Sequence, residues 1–189
     1  MCIRDRLFPE YTGKSVTFDF SKIRPAGAQL SSSSGKAPGP APLKKALSNI
    51  KRVLDKSLKN LDFCAKSIRR LEPVEAYDIV MHCADAVISG GVRRSATICL
   101  FSPDDEDMAK AKTGNWFHEN PQRGRSNNSA LLLRDETTPE QFHGLMESVR
   151  EFGEPGFVWS DSTELIVNPC VEIGMYPVDE ETGKTGWQA

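Results

Sequence analysis

The spacing of apolar side chains changes along the chain, and each spacing predicts a different element. Residues 16–20 alternate apolar and polar side chains, which predicts a strand. From residue 43 to about 68, apolar residues recur at steps of three and four, which predicts a helix with a core-facing stripe and a basic outer face. Pro73 suits the first turn of a second helix that reaches about residue 88, with Gly90 and Gly91 as its cap. This second helix is predicted to bury Ala76, Ile79, Val80, Cys83 and Val87.

Strands and helices alternate in the rest of the chain. Mostly apolar strands are predicted at 96–101, 129–133 and 156–159, with a further extended segment at 171–173. A short acidic helix is predicted from 102 to about 112, and a longer one from 138 to 153. This alternation predicts an α/β fold, either a barrel or a layered sheet, with part of its strand set missing.

Composition and charge narrow the class of protein. The chain has 189 residues, a formal charge of −2, 39% hydrophobic residues and 26% charged residues. These values fit one domain with a core, close to the globular average. The charge balance predicts neither a nucleic-acid nor a membrane partner. The sequence contains no apolar run of membrane-spanning length and no secretion signal, so we expect a cytoplasmic protein.

The cysteines and the chain ends add two expectations. The five cysteines are odd in number and form no C-x-x-C pair, which predicts neither a disulfide framework nor a zinc site. Cys64, Cys83 and Cys99 lie among apolar neighbours and are interpreted as buried small side chains. Residues 1–15 are interpreted as a suspect or disordered N-terminal segment, and 16–189 as one partial domain that is truncated at both ends.

Three segments leave a structural and a functional interpretation open. The tract 21–42 contains four prolines, three glycines and four consecutive serines. It is typical of a flexible linker, but a linker of this length inside a domain is uncommon unless it binds something. Segment 90–95 either holds phosphate through Arg93 and Arg94 or is a glycine cap followed by surface arginines. The acidic run 104–107 is expected to complement a helix N-terminus rather than to bind a metal.

The strongest candidate for a catalytic site in the sequence is the segment Asn168-Pro169-Cys170-Val171-Glu172. If Cys170 begins an extended segment, its thiol, the Asn168 amide and the Glu172 carboxylate project to one side, where they could face one ligand. The structural alternative, which the spacing alone favours, is a proline turn with a buried cysteine. A carboxylate so close to the sulfur disfavours a thiolate, so chemistry of a neutral thiol or a sulfur radical fits better.

Four motifs, taken in order, resemble the ribonucleotide reductase family. Asn-Pro-Cys-Val-Glu-Ile at 168–173 resembles the finger loop that carries the radical cysteine. Ile-Arg-Pro-Ala-Gly-Ala at 23–28, with the tract up to Pro42, resembles the loop that relays effector identity to the substrate base. Gly-Gly-Val-Arg-Arg-Ser-Ala at 90–96 resembles the motif leading into a barrel strand, and Ser-Asn-Asn-Ser at 126–129 resembles a motif of the adenosylcobalamin-dependent branch. The resemblance covers residues 16–189 and is strongest to class II, with a class I catalytic subunit as the nearest rival.

The resemblance implies a fold, a chemistry and a set of partners. The chain would form part of a ten-stranded α/β barrel, with the finger loop near its C-terminal end. Adenosylcobalamin is the implied cofactor, and no metal site is implied among these residues. Cys170 would become the thiyl radical that takes the ribose 3′-hydrogen, Glu172 would act as base on the 3′-hydroxyl, and Asn168 would hold the ribose hydroxyls. The implied partners are a ribonucleotide substrate, a deoxynucleotide or ATP effector, and a thioredoxin- or glutaredoxin-like reductant.

Further residues are assigned to binding on the same resemblance. The implied specificity loop comprises Lys22, Ile23, Arg24, Pro25, Ala26, Gly27, Ala28, Ser33 and Gly35. The candidate substrate-binding residues are Ser126, Asn127, Asn128 and Arg93.

The chain also departs from the family pattern. Of the two reducing cysteines, one is expected upstream of residue 23, where only Cys2 is present, and the other is expected beyond Ala189. We therefore predict that this chain does not turn over alone. The alternative from another class is a non-catalytic, nucleotide-binding regulatory module that binds deoxynucleotide effectors at 22–42, with Cys170 merely buried.

Overall fold

The computed structural model describes residues 16–31, 35–58, 70–89 and 93–175. The chain divides into two compact units, the first made of Met1–Arg70 with Asp85–Arg94 and the second of Leu71–Ala84 with Ser95–Ala189. Helices and strands are both present and the largest described sheet is parallel, so the predicted α/β class is confirmed. Within the described ranges, no helix combines the length and the apolar character needed to cross a membrane.

The first unit contains a long helix and a short hairpin. Helix α1 spans Ala41–Leu58, which confirms the predicted helix as far as residue 58, and 59–69 lie outside the described residues. Its apolar stripe buries Ala46, Leu47 and Ile50. Strands β1 (Ile88–Ser89) and β2 (Arg93–Arg94) pair in antiparallel fashion. Gly90 and Gly91, the predicted helix cap, lie outside the described residues.

The strand predicted at residues 16–20 is wrong. These residues do alternate between half-buried and exposed side chains, as the sequence pattern indicates. However, none of the described segments pairs with their backbone. The segment is instead held by its rings: Phe18 and Phe20 have centroids 6.1 Å apart, and Lys44 Nζ lies 5.0 Å from the centroid of Phe20. Alternation favours a strand only when a partner strand is available.

The second unit is built on a three-stranded parallel sheet. Strands β3 (Thr97–Phe101), β4 (Ser126–Leu133) and β5 (Gly156–Ser160) lie in that order, with β4 in the centre. The register pairs Thr97 with Ser126 and Ser129 with Gly156. All three predicted strands are confirmed, although β4 begins three residues earlier than predicted. The buried core cluster consists of Tyr77, Met81, Phe101, Met108, Ala130, Leu132 and Leu145.

Local signals place most of the helices that connect these strands. Helix α2 spans Pro73–Ala86 and begins at the proline, as predicted. The short helices α3 (Glu106–Ala109) and α4 (Trp116–Glu119) and a 3-10 turn (Pro121–Arg125) lie between β3 and β4. Helix α5 spans Pro139–Phe152, with a reciprocal capping box between Thr138 and Gln141 and with Gly153 in the left-handed region at φ 73°. Asp105 accepts a hydrogen bond from the Met108 N–H, so the acidic run complements a helix start, as expected.

The face that α2 buries differs from the prediction. Val80 and Val87 are 51% and 55% exposed, and Ala76 is exposed as well. The buried residues of α2 are Tyr77, Asp78, Met81, His82 and Ala84. Two of them, Tyr77 and Asp78, form hydrogen bonds with Arg123 of the 3-10 turn, 46 and 45 residues further along the chain. A pattern of apolar residues does not record such partners.

Candidate active site at the Cys170 loop

Residues 168–173, here called the Cys170 loop, connect two short antiparallel strands. These are β6 (Ile166–Val167) and β7 (Gly174–Met175). The Val171 N–H donates to the Asn168 carbonyl at 2.9 Å, which closes a turn with Pro169 at its second position. The Asn168 N–H donates to the Ile173 carbonyl at 3.2 Å, and Asn168 Oδ1 accepts from the Ile173 N–H at 3.0 Å. Asn168 therefore closes the loop with both its backbone and its side chain.

The extended segment predicted at 171–173 is wrong, and so is the alternation that would set three side chains on one side. Val171 has φ 63°, in the left-handed region, so the backbone reverses immediately after Cys170. The proline turn favoured by the spacing is present, but its cysteine is exposed rather than buried. The error has a local cause, because the Asn168 side chain supplies the loop with a hydrogen bond that an extended strand would have to find elsewhere.

The tip of the loop carries two reactive groups on an accessible surface. Cys170 and Glu172 are both exposed, and neither makes a hydrogen bond or ion pair with the part of the chain that the structure describes. Val171 and Ile173 are 43% and 56% exposed and flank them with apolar surface. A thiol can give up a hydrogen atom and a carboxylate can accept a proton. Both groups are accessible to a ligand that binds at this loop.

Strand β4 meets the Cys170 loop at its first residues. Asn127 is exposed, and its Nδ2 donates to the Pro169 carbonyl at 2.8 Å. Its neighbours Ser126, Asn128 and Ser129 are buried. Of the three predicted substrate-binding residues on this strand, Ser126, Asn127 and Asn128, Asn127 alone is exposed, and its side-chain amide is already bonded to the Cys170 loop.

Asn128 points the other way and is anchored to α2. It is 3% exposed, and its Oδ1 accepts from the Tyr77 hydroxyl at 3.0 Å. Burial raises the pKa of Tyr77 to about 12, although the hydrogen bond to Asn128 acts in the opposite direction. Asn128 Nδ2 has no hydrogen-bond partner among the described residues. The Tyr77 hydroxyl also lies 3.3 Å from the Arg123 carbonyl, so the start of β4, α2 and the 3-10 turn meet at this point.

Two cations near the start of β4, the buried Lys112 and the partly buried Arg123, form hydrogen bonds that the sequence patterns did not indicate. Lys112 is 5% exposed, and its Nζ donates to the Ser126 carbonyl and, at 2.9 Å, to Glu154. Arg123 Nε and Nη2 donate to the two oxygens of Asp78 at 2.8 and 2.6 Å. Both lysine and arginine are usually exposed, so periodicity assigns them to the surface.

The predicted specificity loop lies in the first unit and is a folded hairpin rather than a free linker. The Gly27 N–H donates to the Ala37 carbonyl at 2.9 Å and the Leu30 N–H to the Gly35 carbonyl at 3.0 Å, with a bridge between residues 29 and 36. Gly35 is buried, whereas the predicted residues on the other arm are exposed or half-buried. Ser33 lies outside the described residues. The half-buried or exposed residues of that arm are Lys22, Ile23, Arg24, Pro25, Ala26, Gly27 and Ala28.

Other predicted or conspicuous positions belong to other elements of the chain. Arg93 pairs with Ser89 through the backbone of the first-unit hairpin. Within the described ranges, no group of three potential metal ligands is assembled. In the second unit, a cavity of about 450 Å³ opens at the C-terminal end of the sheet, lined by Asp104, Leu133 and Gln141 among others. None of the sequence-predicted site residues lines it.

Comparison with known proteins found relatives of a single kind. The chain is similar in sequence to ribonucleotide reductases. Its relatives are named adenosylcobalamin-dependent ribonucleoside-triphosphate reductases, and proteins of this name from Lactobacillus delbrueckii subsp. bulgaricus and Lactobacillus leichmannii are 35% and 34% identical over 147 residues. A third, from Lactobacillus gasseri, is 31% identical over 147 residues. The resemblance inferred from the four motifs is thereby confirmed, including its adenosylcobalamin-dependent branch.

The match covers most of this chain but only a small part of each relative. It covers 77% of this chain but 18% of each of these three relatives. No family model matches the chain, and no solved structure matches it.

Proposed function

We propose that this chain is the segment of an adenosylcobalamin-dependent ribonucleotide reductase that carries the radical cysteine, Cys170. The observation that carries the proposal is the accessible thiol of Cys170, next to the accessible carboxylate of Glu172, on a hydrogen-bonded loop. The match to reductases of this name supports it. In the whole protein, the three parallel strands would belong to the ten-stranded barrel and the Cys170 loop would be its finger loop.

The residues at the loop suit the implied cofactor and substrate. The exposed thiol has no hydrogen bond within the described residues and is flanked by the apolar side chains of Val171 and Ile173, so a large cofactor could approach it. Adenosylcobalamin, when bound, supplies a carbon-centred radical that removes the hydrogen atom of a thiol. Such chemistry needs an accessible S–H group, and the side chain of Cys170 is exposed.

The roles of the three loop residues follow from the atoms they leave free. Cys170 as a thiyl radical takes the 3′-hydrogen of the ribose, and Glu172 accepts the proton of the 3′-hydroxyl. Asn168 Oδ1 is committed to the Ile173 N–H, so its Nδ2 is the atom left to donate to a ribose hydroxyl. The 2′-hydroxyl then leaves as water. A thiol pair supplies the two electrons, and a thioredoxin- or glutaredoxin-like protein restores that pair.

The hairpin of residues 22–42 would bind the nucleotide effector. Lys22 and Arg24 are exposed cations on its outer arm, and cations of this kind suit the phosphates of a deoxynucleotide or ATP. Gly27, at φ 86° with open space around it, allows a base or ribose to approach the backbone.

The decisive test uses a polypeptide of the relatives' full length that carries this segment. It should form deoxynucleotides from ribonucleotides with adenosylcobalamin and without a di-metal partner subunit. Cys170→Ser should remove product formation, whereas the half-buried Cys99→Ala should retain it. The 189-residue chain alone should form no product. Activity of a few per cent in Cys170→Ser would refute the radical assignment, and effector binding without turnover would favour a regulatory module.

A further inference from the structure

Asn127 is the one side chain outside the Cys170 loop that, in the described residues, forms a hydrogen bond to it. Its Nδ2 donates to the carbonyl of Pro169, the peptide unit that leads directly into Cys170. The bond spans 42 residues of sequence and ties the second unit's sheet to the hairpin of β6 and β7. The residue therefore acts on the orientation of the Pro169–Cys170 peptide rather than on the thiol itself.

The strand that presents Asn127 is fixed on both sides of this residue. The Ser126 carbonyl accepts from buried Lys112, and the Asn128 side chain accepts from buried Tyr77. Side chains alternate along a strand, so anchoring Asn128 inward turns Asn127 outward to the loop. A side chain on a fixed strand restrains its hydrogen-bond acceptor more than a mobile surface side chain does. The fixed side chain loses little further conformational entropy when the hydrogen bond forms.

The loop, by contrast, has little packing to hold it. Cys170, Val171, Glu172 and Ile173 are all exposed. Its internal hydrogen bonds all involve Asn168, and none of them reaches the sheet. Among the described contacts, the Asn127 bond is the hydrogen bond that orients the loop against β4.

We propose that Asn127 is a positioning residue that aims Cys170 by holding the Pro169 carbonyl, and that it does not contact the substrate. Its importance for catalysis rests on the function proposed above, but the contact itself does not. The chemistry requires an amide: aspartate has the same shape but offers no N–H to a carbonyl, and its charge would face the carbonyl oxygen.

The first experiment measures hydrogen–deuterium exchange in the 189-residue chain. Asn127→Ala and the isosteric Asn127→Asp should each accelerate exchange at the Val171 and Ile173 amides by about 2- to 10-fold, the range expected for losing one neutral hydrogen bond. Asn115→Ala is the matched control, because Asn115 is exposed and makes no side-chain cap hydrogen bond. It should leave these amides unchanged. Unchanged exchange in both Asn127 variants, or acceleration spread evenly over β3, β4 and β5, would overturn the proposal.

The second experiment separates positioning from substrate binding in the full-length reductase polypeptide. Both Asn127 variants should lower kcat by about 10-fold or more with KM little changed, because even small misplacement of a reacting group is costly. A raised KM with kcat preserved would mean that Asn127 contacts the substrate, and would overturn the proposal. If the unmodified polypeptide forms no deoxynucleotide, the proposed function fails, and the exchange measurement still decides whether Asn127 holds the loop.

Discussion

The buried pair of Arg123 and Asp78 should contribute far more to stability than a surface pair of the same chemistry. The side chains are 13% and 12% exposed, with Arg123 Nη2 2.6 Å from an Asp78 oxygen. Arg123→Met keeps the length of the side chain and removes its charge and its donors. Asp78 would remain buried with one donor, Gln122 Nε2 at 3.0 Å, and the Ala111 carbonyl would lose its bond from Arg123 Nη1.

The magnitude follows from this loss of partners. Removing one member of a buried pair costs about 3–5 kcal/mol, and the remaining Gln122 bond places this site near the lower end, about 3 kcal/mol. Arg134 and Asp161 provide the control, because they lie 2.7 Å apart with side chains 56% and 81% exposed. Arg134→Met should cost about 0–1 kcal/mol, since water solvates both charges in the absence of the pair.

Urea unfolding followed by tryptophan fluorescence measures the difference. Trp116 and Trp159 both lie in the second unit and report on its sheet. With a slope of about 1.5 kcal/mol per molar urea, Arg123→Met should lower the midpoint by about 2 M and Arg134→Met by less than about 0.7 M. Equal shifts in the two variants would show that burial does not determine the strength of these pairs. Arg123→Met combined with Asp78→Leu should recover part of the loss, because no charge is then left buried.

Two further predictions concern pH and backbone conformation. Burial raises the pKa of Tyr77 from 10.0 to about 12, so the folded form disfavours ionisation and the second unit should lose stability as pH rises through about 10 to 12. The Tyr77→Phe variant should be less stable at neutral pH but should not lose stability as the pH rises through this range. If the urea midpoints of the variant and the unmodified chain fall in parallel between pH 10 and 12, the reasoning is wrong. Gly39 has φ 76°, and an added Cβ would lie 2.9 Å from the Ala26 nitrogen, whereas Gly27 at φ 86° has open space. Gly39→Ala should therefore cost about 1–3 kcal/mol and Gly27→Ala about 1 kcal/mol; thermal melts showing equal losses would contradict the clash.

Elements with local signals could be predicted from the sequence. Helix α5 has its N-cap at Thr138, its proline in the first turn and its left-handed Gly153, and all three lie within a few residues of its ends. Strands β3 and β5 are short apolar runs with the expected bounds. These features depend on neighbouring residues alone, which a sequence pattern records.

Features that depend on distant partners could not be predicted. The buried face of α2 is set by Asp78 and Tyr77, whose partners Arg123 and Asn128 lie 45 and 51 residues further along the chain. The candidate site shows the same division. Its cysteine, carboxylate and amide were identified from their types and order. The exposure of Cys170 within its proline turn, and the hydrogen bond from Asn127, became visible only in the three-dimensional structure.

The left-handed backbone of Val171 gives the Cys170 loop a nearly balanced energy. A branched side chain at φ 63° costs on the order of 1–3 kcal/mol. Three hydrogen bonds with Asn168 and one from Asn127 contribute about 0.5–1.5 kcal/mol each, so together they exceed that cost by at most a few kilocalories per mole. A loop in such balance needs only a few kilocalories per mole from a bound molecule to exchange one conformation for another. The strained peptide next to the cysteine therefore lowers the free energy that a bound molecule must supply to reorient the thiol.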